Sequence, residues 1–161
     1  MRQNMLLNES SFYSLQMMRS VAKHFQAYSP LRNAIHIQLD PTSDNTPLQT
    51  DLDVVESVVK DLMHCVLEID GPFPLVTLGC RDMGQEVMLW IEASLPHGGS
   101  RPTRLAQEPF MDAAGREEER IRVLRRVIEE DLQGSLSLMG EGAHHYCFWL
   151  TMAKRRVKCV A

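Results

Sequence analysis

No apolar run in the 161-residue sequence reaches the roughly 18 residues that a membrane-spanning helix needs. The opening stretch, Met1 to Glu9, lacks the long apolar core of a secretory leader. Paired cysteines are missing too. Cys65, Cys80, Cys147 and Cys159 are scattered, without a C-x-x-C motif, which excludes a disulfide scaffold. Neither sign of charge is in excess: 17 basic against 21 acidic residues give −4, so overall electrostatics make no case for nucleic acid. There is no internal repeat. What remains is 44% hydrophobic and 24% charged, the composition of a globular protein. A chain of this length buries about 70% of its unfolded surface in one domain. The expectation is a soluble, cytoplasmic single domain spanning residues 11–152, with a tail at 1–10. The basic 153–161 stretch, containing Lys154-Arg155-Arg156-Val157-Lys158, reads as a solvated terminus.

Hydrophobic periodicity gives the elements. Phe12, Leu15, Met18, Ala22 and Phe25 recur at helical spacing and stop at Ser29-Pro30. Ile35, Ile37 and Leu39 alternate with His36 and Gln38 as in a half-buried strand. Residues 40–48 read as a loop, and Thr50 with Asp53 reads as a capping box for a second helix. That helix carries Val55, Val58, Val59, Leu62, Met63 and Val66 on one face and ends before Gly71-Pro72. A hairpin follows, 75–80 and 87–93, turning at Asp82, Gly84 and Gln85. Residues 94–117 are polar, interrupted by proline and glycine, and long enough to be a lid or mobile segment, the least ordered internal part of the chain. A third helix spans about 118–132, with Gly134 as its C-terminal stop, and strands 135–139 and 146–151 close the sequence. The expected fold is an α+β two-layer sandwich, a mixed five-stranded sheet with three helices on one face.

This order, with a long polar loop before the last helix, resembles the ATP-binding catalytic domain of sensor histidine kinases, of the Bergerat-fold (GHKL) superfamily. Val58-Val59-Lys60-Asp61-Leu62-Met63-His64-Cys65 looks like its N-box helix, and Glu108-Pro109-Phe110 like its F-box. Residues 123–136 resemble the helix, glycine and strand after the nucleotide lid, and Tyr146 to Leu150 the closing strand. The resemblance implies cofactor positions, and at each the chemistry has changed. Asp61 and Cys65 stand where the family has two asparagines four residues apart for nucleotide and Mg²⁺. Asp61 can hold a hard cation; a thiol is a poor Mg²⁺ ligand. The adenine-reading aspartate falls on Ala93, with Glu92 as a substitute one place away, and Leu95 or Pro96 replaces a glycine. Glu117, Glu118 and Glu119 place negative charge where the family's glycine-rich box meets phosphate. No histidine lies in a phosphoacceptor His-Glu-x-x-x-Pro setting.

The reading is therefore a histidine-kinase-like signalling module that has lost ATP and any other cofactor and binds a partner protein, a kinase or a response regulator. Arg122, Arg125 and Arg126 on the third helix are the candidate partner contacts, set against a solvated face with Glu118–Arg122 and Arg126–Glu130 pairs. The alternative is an ATP- and Mg²⁺-binding domain using Asp61 and Glu92, with 94–117 as lid. An unrelated α/β scaffold with the same element order is the third reading. A soft-metal site from His145 and Cys147 with His64 and Cys65 lacks a paired second segment and gives way to buried thiols.

Overall fold

The computed structural model describes residues 8–28, 36–67, 75–94, 116–140 and 145–155. The elements run β1 (Ser10–Tyr13), α1 (Ser14–Tyr28), β2 (His36–Leu39), β3 (Pro47–Thr50), α2 (Leu52–Leu67), β4 (Leu75–Asp82), β5 (Glu86–Ser94), α3 (Glu119–Glu130), β6 (Ser135–Gly140) and β7 (His145–Ala153). Five strands form one sheet in the order β2-β4-β5-β7-β6. Only β2–β4 is parallel; the other three pairings are antiparallel. The sheet is mixed, as the element order implies.

Strand parity explains the layers. Successive side chains point to opposite faces, and on one face Val76, Leu78, Val87, Leu89, Ile91, Phe148, Leu150 and Leu136 are buried in the core. The helices cover that face: α1 packs against β2 and β4, α2 against β5 and both other helices, and α3 against β6. Each brings one apolar stripe, such as Ile121, Leu124 and Ile128 of α3. The opposite face carries Thr77, Met88, Trp90, Glu92, His145, Cys147 and Trp149. Among the described residues no helix is long and apolar enough to cross a membrane.

Four local expectations change. The first helix begins at Ser14, because residues 10–13 are a strand that pairs antiparallel with β3, which starts within the last two residues of the stretch expected to be loop. Asp51 rather than Thr50 caps α2: its carboxylate accepts the Val54 N–H at 3.2 Å while its carbonyl accepts Val55 N–H. At the end of α3 the left-handed residue is Gln133, φ 54°. Gly134 is needed for another reason, since a Cβ there would overlap the Thr151 carbonyl of β7. Glu118 pairs with Arg120 at 3.3 Å, not with Arg122. The lid-like 95–115 stretch, the Glu108-Pro109-Phe110 motif, Gly71-Pro72 and the tail from 156 onward lie outside the described residues.

Candidate functional site

Asp61 and Cys65, the residues that the resemblance sets at N-box positions, lie on α2. Residues four apart are offset by about 40° around a helix, and here that offset crosses the edge of the buried stripe. Cys65, on the core side, is 1% exposed. Asp61, on the solvent side, is exposed and lines an open depression with Asp53, Ser57, Lys60 and His64. His64 sets its ring edge against Phe25 of α1, 5.1 Å between centroids. Asp61 and Cys65 therefore share a helix face by spacing but not an environment.

Glu92 is separated from both by the sheet. It points away from the helices, and its carboxylate meets His145 Nε2 at 2.5 Å across the β5–β7 pairing. Ala93 is the residue that faces the helix layer, fully buried and without a polar group. Cys147 lies directly opposite Glu92 on that outer face. Burial first, then the neighbouring Glu92 carboxylate, pushes the Cys147 thiol up to about 12. Burial likewise raises the Cys80 thiol. Among the described residues no group of three or more His, Cys, Asp or Glu side chains is arranged to hold a metal ion.

The three glutamates before and within α3 have separate tasks. Arg125 grips Glu117 with two nitrogens, Nη2–Oε1 at 2.6 Å and Nε–Oε2 at 3.3 Å. The same guanidinium donates to the Leu136 carbonyl of β6, and its bond to Glu117 keeps it firmly charged. Glu118 occupies the N-cap position without a side-chain cap bond, and Glu119 stands in the first turn. Carboxylates at a helix N-terminus are favoured by the exposed N–H groups there, so this end of α3 already carries negative charge. Of the three candidate contact arginines, Arg125 is committed to internal bonds. Arg122 and Arg126 are exposed and make no ion pair with a described residue. Val123 lies beside them, 53% exposed.

The sequence reading missed the Glu92–His145 pair and the β1–β3 ribbon. Strand alternation through 86–94 contains the signal for the first: with Val87, Leu89 and Ile91 inward, Glu92 has to face outward. The ribbon left no such trace.

No family profile matches the sequence, and neither does any curated protein. Among solved structures, the nucleotide-free catalytic domain of histidine kinase ThkA superposes with a TM-score of 0.69 at 18% identity, covering 92% of this chain and 98% of that one. The Acinetobacter baumannii histidine kinase AdeS gives 0.68 at 20% identity over 94% of this chain and 70% of its own. ThkA in complex with the response regulator protein TrrA gives 0.68 at 17% identity, covering 92% of this chain and 42% of that chain. The chain has the histidine kinase catalytic domain fold.

Proposed function

We propose that this chain is a signalling module on a histidine kinase catalytic scaffold that has given up ATP and Mg²⁺ and acts by binding a partner protein. The observation that carries the proposal is the dispersal of the residues standing at nucleotide positions. Cys65 lies in the core, Glu92 is bonded to His145 on the far face of the sheet, and Ala93 offers the base no acceptor. A lost adenine-reading carboxylate alone removes a charge-assisted hydrogen bond worth about 1.5–3 kcal/mol. The alternative, ATP binding through Asp61 and Glu92, needs both on the helix side, and strand parity argues against it for Glu92.

The partner is a response regulator or a kinase. ThkA, with the same fold, is seen with a response regulator, which supports the first class. Arg122 and Arg126 share an exposed face of α3 with Glu119 and Glu130, with Val123 at its margin, a mixed-charge patch able to pair with a partner's charged surface. Radiolabelled ATP with a separate phosphoacceptor helical hairpin should give no phosphotransfer. A panel of receiver domains titrated by surface plasmon resonance should include one that binds, and the Arg122→Glu, Arg126→Glu double variant should weaken it about tenfold or more. Phosphotransfer above the no-enzyme control would contradict the proposal, as would binding that ignores the double variant.

A further inference from the structure

The start of the basic tail is built into the fold. After β7 the chain runs on beside β3: Gln49 N–H donates to the Lys154 carbonyl at 2.7 Å, and Gln49 forms a parallel bridge with Arg155. Lys154 is held further by its own N–H to the Gln85 carbonyl and by Nζ to Asp82 Oδ1 at 2.5 Å. The β1–β3 ribbon thereby gains a third extended segment, and the three enclose a surface groove of about 380 Å³. Ribbon parity divides its lining. Phe12 and Leu48 pair on the inner face and pack against the core, whereas Tyr13 opposite Pro47 and Ser11 opposite Gln49 form the outer face. Tyr13 is 47% exposed. Arg155, at the end of the groove, is exposed and makes no ion pair with a described residue. In sequence the basic run continues through Arg156 and Lys158, so four of the chain's 17 cationic residues fall within 154–158, in a chain of net charge −4.

We infer that this groove docks an extended acidic peptide segment of a partner protein, packing one apolar side chain against Tyr13 and Pro47 and setting its carboxylates at Arg155. Charge complementarity chooses the occupant. The floor is apolar and aromatic, Arg155 is the exposed cation among the groove's described lining residues, and the Asp82 carboxylate is already occupied by Lys154 and the Gly84 N–H. A shallow groove walled by extended backbone suits an extended segment, and Gln49 and Ser11 supply hydrogen-bonding groups along it. This surface uses other elements than the Arg122–Arg126 face of α3 and does not depend on the loss of ATP binding.

The test uses a fluorescein-labelled heptapeptide of glutamates with one central phenylalanine, titrated into the whole chain by anisotropy and mapped by amide chemical-shift changes. Shifts confined to residues 11–13, 47–49 and 154–155 are expected. Arg155→Glu should weaken binding about tenfold or more, and Tyr13→Ala about threefold to tenfold. Both residues are exposed, so both variants should keep the wild-type thermal transition. The matching lysine peptide should not bind. Three results would overturn the inference: shifts mapping to α3, affinity unchanged in both variants, or binding of phosphatidylserine vesicles without peptide binding, which would assign the groove to a lipid surface.

Discussion

Gly134 and Gly79 are both glycine because another group occupies the place of a side chain, but the obstacles differ. At Gly134 the obstacle is the Thr151 backbone carbonyl, fixed in the sheet; at Gly79 it is the Trp90 ring, a side chain. Alanine at either site overpacks, at a cost of about 1–3 kcal/mol. A ring can shift and a paired strand cannot. Urea denaturation should therefore place Gly134→Ala at or above the top of that range and below Gly79→Ala in stability; the reverse order would contradict the assigned contacts. Cys147 offers a second test at this scale. With the thiol raised to about 12, against about 8.5 in an unfolded chain, its thiolate is scarce near pH 8. Iodoacetamide at pH 8 should label Cys147 slowly in the folded protein and quickly in urea, as read by mass spectrometry. The sign for stability follows: a group whose folded value is raised contributes fully below about pH 8.5 and loses that contribution as pH climbs towards 12. Equal labelling rates in the two states would contradict the burial.

At the scale of elements, Arg125 joins three pieces: Glu117 just before the helix, helix α3 and the edge strand β6. Capping a free carbonyl on an edge strand with a cation also discourages pairing with other chains. Arg125→Ala should cost about 1 kcal/mol, reduced from the charged-bond range because the pair is partly exposed. Arg122→Ala should change stability by less than about 0.5 kcal/mol. Equal effects in chemical denaturation would remove the distinction between the internal arginine and the exposed one.

The same scale shows what was legible in the sequence. The long elements were, because Val55, Val58, Leu62 and Val66, or Val87, Leu89 and Ile91, repeat with the period of their own structure. The β1–β3 ribbon was not: each strand has four residues, β3 opens on a proline, and the pairing of Phe12 with Leu48 spans a distance no local pattern records. The Arg125 contacts were hidden similarly, since helical spacing favours Arg126–Glu130 as readily as a partner before the helix. Glu92 was legible in principle, by parity, once the strand around it was fixed.

For the whole molecule, the sandwich has the histidine kinase catalytic domain fold, and Asp61, Cys65 and Glu92 stand in three separate environments on it. The core runs without interruption from α1 through the sheet to β7, and Arg155, the exposed α3 residues and the Glu92–His145 pair each lie outside it. Among the described residues, Asp61 faces solvent on the helix side, whereas Glu92 lies on the opposite side of the sheet and meets His145. Micromolar affinity corresponds to about −8 kcal/mol, and losing half of it leaves millimolar binding. The most direct measurement is calorimetric titration of the full chain with ATP and ADP, with and without Mg²⁺. Loss of the nucleotide function predicts no saturable heat below about a millimolar; saturable binding in the micromolar range, abolished by Asp61→Ala, would contradict it.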